Sequence, residues 1–437
     1  MQLAWPSPAR AWWTVAVLTF TYIVSFVDRT ILGLLIEPIK HDLALSDTQI
    51  GLVQGMAFGL FYAAMGLPLG WLADRTSRRG LIAVGATLWC AATAACGLAS
   101  SFVQLFVARI AVGVGEAALS PAAMSIISDS FPKERRGVPI GVYAAAAAAG
   151  AGVALIVGGT VIQLVSHRDV LVLPLFGEVA RWQAAFVLVG LGGLVLLPLL
   201  ATILEPLRRN ESAVAASTPL RIDRFIFKHA DFMVRHYVAV SLYSVVIYAV
   251  LSWVPAQFIR VYGWTPGETG LRYGVVLLLF GGAGTVLGGL LAAQLSKRAV
   301  AQPAILITVA GMAIAGPLLA LGASASDGWT ALTWYAPALL FMTLPGGTAI
   351  QVVQEAVPNQ LRGQASAVYY LANSIVGLTL GPLSVGLLTD YVYEDPLRIG
   401  SALALLAITI PPITAVLALM TRAPFARLIG QESQAEA

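Results

Sequence analysis

The sequence predicts an all-α membrane protein, with twelve transmembrane helices arranged as two six-helix bundles. Three observations lead there. Of 437 residues, 58% are hydrophobic and only 11% charged, against about 25% charged in a soluble domain, and mean hydropathy is +0.82. Such a chain has too little polar surface to dissolve. Apolar stretches of about 20 residues, enough to cross a bilayer, recur along its whole length. The second half also repeats landmarks of the first.

Taken in order, the predicted spans are residues 12–36, 47–70, 80–99, 103–128, 138–165 and 183–204, then 237–259, 268–294, 303–323, 331–355, 364–389 and 398–420. The opening stretch is too long for a cleaved signal peptide and carries Asp28 and Arg29. A polar, basic segment, 205–236, separates six spans from six, with a weakly amphipathic run from Phe225 suited to a membrane surface. The expected division is therefore 1–204, a linker 205–236, 237–421, and a tail 422–437. About 18 Lys and Arg fall on the linker side and about 6 on the other. The positive-inside rule then places both termini and the linker in the cytoplasm. A pI near 9.1 does not indicate a nucleic-acid partner, because the basic residues lie in short loops rather than on a soluble domain. Cys90 and Cys96 share one apolar span and read as packing residues, without disulfide or metal spacing.

The repeat is visible in two places. Gly70-Trp-Leu-Ala-Asp74-Arg75-Thr-Ser-Arg78-Arg79 after the second span is echoed by Gly289-Leu-Leu-Ala-Ala-Gln-Leu-Ser-Lys297-Arg298 after the eighth. Phe131-Pro-Lys-Glu-Arg-Arg136-Gly137 is echoed by Val357-Pro-Asn-Gln-Leu-Arg362-Gly363. Parallel six-helix repeats place a substrate site between the halves, near mid-membrane.

Charges inside apolar spans mark the candidate site. The fourth span carries Arg109 and Glu116 seven positions apart, hence on one helix face about 10 Å apart along the axis. The first carries Asp28 and Arg29. Such charges persist mainly where they face a bundle interior or a wet cavity. They read either as structural salt bridges or as a site handling protons and substrate. Counting rise per residue puts Asp28 and Arg109 at matching depths, so they should pair in at least one conformation. Glu116 lies deeper, within reach of Arg29 only through water or a long side chain. No histidine falls inside a span, so proton carriage falls to Asp28 and Glu116. Arg29 and Arg109 are the candidates for holding an anion such as phosphate. By the repeat offset, Arg109 and Glu116 correspond to Tyr335 and Met342. The second half offers instead Tyr243, Tyr248, Trp253, Gln257, Phe341 and Asn373 as candidate substrate contacts or ordinary packing residues. One charged half facing one apolar half suits a ligand with an anionic head and an apolar tail. Pro345-Gly346-Gly347 and Gly381-Pro382 are expected bend points.

The GxLADRxxRR loop, its degenerate copy and the 6+6 arrangement resemble the major facilitator superfamily over essentially the whole chain. Asp28-Arg29, the stretch EPIKHDLALSDTQIGL (37–52) and Arg109 with Gly113-Val-Gly115-Glu116-Ala117 resemble its Spinster-like branch. That resemblance implies a bacterial homologue exporting lysophospholipids or sphingosine phosphate with proton coupling. It also implies a gating role for Asp74, Arg75 and Arg78, with Asp74 meeting the start of the eleventh helix near Gly363 to hold the outward-open form. The fifth span, GVYAAAAAAGAGVALIVGG, lacks the Gly-Pro pair of the antiporter motif of many drug exporters. The expected function is thus proton-coupled transport of an anionic amphiphile by alternating access, the alternative being a small organic anion or drug-like compound. No nucleotide loop, metal cluster or catalytic constellation is present in the sequence, so neither enzyme activity nor a cofactor is expected. A monomer in a bacterial inner membrane, with membrane lipids, protons and substrate as partners, completes the expectation.

Overall fold

The computed structural model describes residues 5–165, 170–173, 177–208 and 222–436. Among these, twelve helices are long and apolar enough to cross a membrane: Pro8–Leu34, Asp47–Ala73, Arg78–Cys96, Phe102–Ser130, Gly137–Val165, Arg181–Ala201, Ala230–Arg260, Pro266–Lys297, Pro303–Ala323, Gly328–Ala356, Arg362–Val392 and Pro396–Gly430. The seventh begins at Ala230 rather than 237, because its first turns carry Asp231, Arg235 and His236, which lower hydropathy without breaking a helix. His236 Nε2 lies 3.0 Å from the Ala349 carbonyl oxygen, and Phe232 packs on Phe425. A short helix, Ile222–Lys228, precedes it; residues 209–221 of the expected linker lie outside the described residues. The tail continues as a helix from Arg422. Local sequence explains several starts: Ser46 with Gln49 and Thr265 with Glu268 form capping boxes.

One element was not foreseen. Between the fifth and sixth helices, Val170–Leu173 pairs antiparallel with Gly177–Ala180, Val172 opposite Glu178. Just beyond, the Trp182 indole N–H donates to Asp42 Oδ2 at 2.6 Å.

Within the first half, helix one packs on helix five, and helix three on helices four and six; in the second half, helix nine packs on helices ten and twelve. The halves meet mainly through three helix pairs, two with eleven, five with eight, and one with seven, and helix one also touches helix eight. All these contacts lie toward the face opposite the linker. A Cβ on Gly55 would stand 2.6 Å from the Thr379 carbonyl oxygen, and one on Gly159 3.0 Å from the Gly270 Cα. Only glycine permits backbones so close. Toward the linker face the same helices part: around Gly141, Gly289 and Gly363 nothing lies within 4 Å of an added Cβ. The molecule is closed on one face and open on the other.

Helical irregularities concentrate where the halves meet. Single π-helical turns occupy Leu52–Met56, Leu277–Gly281, Ser374–Leu378 and Leu388–Val392, in helices two, eight and eleven. The fourth and tenth helices are interrupted at equivalent places, Ala117–Ala118 and Leu344, the latter just before Pro345 as the bend signal implied.

Candidate transport site

Helices one and four bring the intramembrane charges together. Arg29 donates through Nε (2.6 Å) and NH2 (2.5 Å) to Glu116 Oε2. Glu116 is buried, while 14% of the Arg29 side chain is exposed. Of the two routes the depth difference allows, water or a long side chain, it is the long arginine side chain that spans it. Arg109, also buried, donates at 3.0 Å to the backbone carbonyl of Asp28, not to its carboxylate. Asp28 Oδ1, Arg109 Nε and Glu116 Oε1 are buried without hydrogen-bond partners. Adjacent residues on a helix point about 100° apart, which lets Arg29 reach the opening while Asp28 faces inward toward Thr93 of helix three.

The arginine is walled by aromatic residues. The Arg29 guanidinium sits 5.0 Å from the Phe26 ring centroid, 4.8 Å from Phe58 and 4.9 Å from Tyr62. Tyr22 stacks on Tyr143 at 5.0 Å, and Tyr248 of helix seven lies near Arg29 and Tyr62. Tyr22, Phe26, Arg29, Tyr62 and Tyr248 are partly exposed; lying between the halves, they line the opening. Of these, Tyr22, Phe26, Phe58, Tyr62 and Tyr143 escaped the sequence reading. The available signal was helical spacing: Tyr22–Phe26 and Phe58–Tyr62 are each four apart, on one face.

The other candidates divide. Tyr243 lies near Tyr248 and Tyr369, and Asn373 beside Tyr369. Trp253 and Gln257 are instead fully buried within the second half. Trp253 donates to the Pro382 carbonyl at 2.8 Å; Gln257 donates to Ala323 O and Tyr262 OH and accepts from Tyr335 OH at 2.6 Å. Phe341 packs near Ala292, Ile307 and Leu344. The repeat mapping of Arg109 to Tyr335 thus marks a buried hydrogen bond in the second half.

The loop after helix two is tied within its own half. Arg78, 1% exposed, bonds Asp129, Ser125 Oγ (3.0 Å), Glu205 Oε1 (3.2 Å) and the Pro206 carbonyl (2.6 Å). Burial opposes ionisation of Glu205, but the Ser77 hydroxyl, the Arg78 amide and its guanidinium hold that carboxyl below its ordinary range. Arg208 caps the end of helix two through the Ala73, Asp74 and Thr76 carbonyls. Asp74 and Arg75 are exposed, Arg75 over the Trp71 ring at 4.0 Å. Asp74 and the start of helix eleven are not in contact, Gly363 having open space around it.

A further ionic cluster, also missed, closes the opposite face. Arg260, ending helix seven, bonds Glu37 (2.7 Å) and both oxygens of Asp47 (2.7 and 2.9 Å); Lys40 pairs with Asp47 too. Asp390 of helix eleven accepts from the Asp47 and Thr48 amides (3.2 and 2.6 Å), capping helix two from the other half. In sequence, Ser46-Asp47 looks like an ordinary helix start.

Twelve membrane-crossing helices in two halves, closed on one face around a partly buried charge, have the architecture of a secondary carrier. The chain belongs to the major facilitator superfamily, whose family model matches residues 18–382. It is Spinster-like. A crystal structure of a bacterial homologue of the human lysosomal transporter Spinster, inward-facing and unoccupied, superposes with TM-score 0.78 at 25% identity, covering 97% of this chain and 98% of that one. Protein spinster of Drosophila melanogaster is 26% identical over 88% of this chain and 62% of its own length. An MFS-type efflux pump of Mycolicibacterium smegmatis is 29% identical over 98% of this chain and 96% of its own.

Proposed function

We propose that this carrier moves an anionic amphiphile, of the lysophospholipid or sphingosine-phosphate kind, by alternating access coupled to protons. The observation that carries the reading is Arg29: partly exposed to the opening, walled by aromatic faces, and neutralised by a buried glutamate. An arriving anionic head competes with Glu116 for the guanidinium. Glu116, released in a buried place, then gains from taking a proton, so anion binding and protonation are linked. Asp28 is the second carrier, with Arg109 holding its backbone. Tyr243, Tyr248 and Asn373 supply the facing wall, and an apolar tail lies toward the second half. The basic linker face is cytoplasmic, both termini with it, in a bacterial plasma membrane. The working unit is a monomer divided between helix six and helix seven, which begins at Ala230. In the alternate, outward-open form, Asp74 reaches the N-terminus of helix eleven, with Arg75 beside it, as a latch.

Purified protein in liposomes under an imposed pH gradient tests this, with labelled lysophospholipid against short-chain carboxylates. Lysolipid movement should follow the gradient. Glu116→Gln and Asp28→Asn should flatten the pH dependence, and Arg29→Ala should weaken binding about 10- to 100-fold, the value of a charge-assisted bond. Unchanged pH dependence in both carboxamide variants removes them as carriers. The efflux-pump relative favours a second reading, a small organic anion or drug-like compound, which transport of those without lysolipid would establish.

A further inference from the structure

We infer that the groove between the start of helix seven and the tail helix binds the phosphate headgroup of an anionic membrane phospholipid, apart from the transport site. The groove holds about 200 Å³. Lys228, His229, Asp231 and Arg427 line its polar side, and the buried Phe232 and Leu428 its apolar side. Its walls are fixed. The buried Phe232 and Phe425 rings pack with centroids 5.2 Å apart. Gln302 Nε2 donates to the Arg422 carbonyl at 2.8 Å, tying the start of the tail helix to helix nine.

Charge selects the ligand. Asp231 is committed, its two oxygens accepting from Arg235 at 2.6 Å and from Arg427 at 2.9 Å. Lys228 has no ion-pair or hydrogen-bond partner among the described residues. Three cations thus surround one carboxylate, an excess of positive charge that a phosphodiester would neutralise. Burial and the neighbouring Lys228 hold the His229 imidazole below its ordinary pKa, so at neutral pH it is an uncharged ring with one N–H to donate. Position selects a lipid over a free anion. Ala230 opens a membrane-crossing helix, so the groove lies at headgroup level, where basic pockets recognise anionic lipid. Asp231, Val234, Arg235 and Val238 fall on one face of that helix. Val234 and Val238 are exposed and lie about 6 and 12 Å into the span, a surface for an acyl chain descending from the groove. Phe227, also exposed, adjoins Lys228 on the short helix before it. Lys and Arg at a span's end orient a chain without any cavity; here they rim one, with an apolar stripe beneath it.

Native mass spectrometry of the full-length protein in detergent, titrated with dioleoyl phosphatidylglycerol or dioleoyl phosphatidylcholine, tests this. The anionic phosphatidylglycerol should be retained in preference. Lys228→Ala combined with Arg427→Ala should weaken its binding about 10- to 30-fold, the worth of two cations at a membrane surface. Both positions are exposed, so folding is not at stake. Lys297→Ala combined with Arg298→Ala, exposed on the same face, should leave binding unchanged. Equal retention of the two lipids, or equal loss in both double variants, reduces the groove to general surface charge and overturns the inference. So does displacement of the lipid by millimolar inorganic phosphate, which would make the ligand a free anion. Binding lost with Arg29→Ala would belong to the transport site, overturning this inference and leaving the transport reading standing.

Discussion

Three arginines of the first half, Arg78 and Arg109 buried and Arg29 partly exposed, have different work, and only their surroundings tell them apart. Arg29 faces the opening with a single carboxylate partner, Arg109 braces a neighbouring backbone, and Arg78 is a staple. Its bonds to Asp129, Ser125, Glu205 and Pro206 join the loop after helix two to helix four and to the chain beyond helix six. Arg78→Ala would leave Asp129 without its cation and Glu205 with only the Ser77 hydroxyl and a backbone amide, at a cost of about 1.5–3 kcal/mol. Thermal unfolding in detergent should show that loss, and Arg78→Lys, lacking the planar fork, should recover only part. Glu205 adds a pH dependence. Its carboxyl is held below its ordinary range, so its contribution is complete above the unfolded value and is lost as pH falls through the lowered folded one. Asp28, Arg29, Arg109 and Glu116 were legible because charge is conspicuous in apolar sequence. Their pairing was not, since it depends on helix rotation and tilt. The aromatic wall was hidden for the opposite reason: Tyr22 or Phe58 in an apolar span looks like any packing residue.

At the scale of elements, irregularity and function coincide. The helices with π-helical turns are two, eight and eleven, which join the halves on the closed face. There Arg260, Asp47, Glu37 and Lys40 form the ionic cluster, with Asp390 capping helix two from across the divide. Removing Arg260 leaves Asp47 buried with Lys40 as its remaining cation. Arg260→Ala should shift the population about 10- to 100-fold toward opening of that face, corresponding to roughly 1.5–3 kcal/mol. Spin labels on exposed positions 41 and 394 would report it as a longer distance in pulsed resonance; an unchanged distribution would mean that helix packing alone holds the face shut. The bend before helix ten's second part was readable from Pro345, whereas its partner at Ala117–Ala118 carries no local breaker. The repeat offset was the available clue.

For the whole molecule, twelve spans and the superfamily were legible because bilayer thickness imposes a length on every crossing helix and duplication left matching loops. The seventh helix's early start and the strand pair Val170–Leu173 with Gly177–Ala180 were not, since hydropathy registers neither polar helical turns nor short strand pairs. Conformation was invisible too, because it depends on which of two packings the same residues adopt. The proposed latch belongs at this scale. Asp74→Asn should leave the linker face open more of the time, so a cysteine at position 141 should react faster with an impermeant maleimide. An unchanged rate would leave the loop only its ties to helix four and to the chain beyond helix six.

Asp28, Arg29, Arg109 and Glu116 are two carboxylates and two guanidinium cations, so fully ionised they sum to zero. A bound proton makes the ensemble a monovalent cation, which a singly charged anionic cargo returns to neutrality. On the proposed proton coupling, membrane voltage, worth about 2.3 kcal/mol per charge per 100 mV, would then bear on whichever half of the cycle travels unbalanced, making the cell's electrical polarity as well as its acidity a determinant of direction.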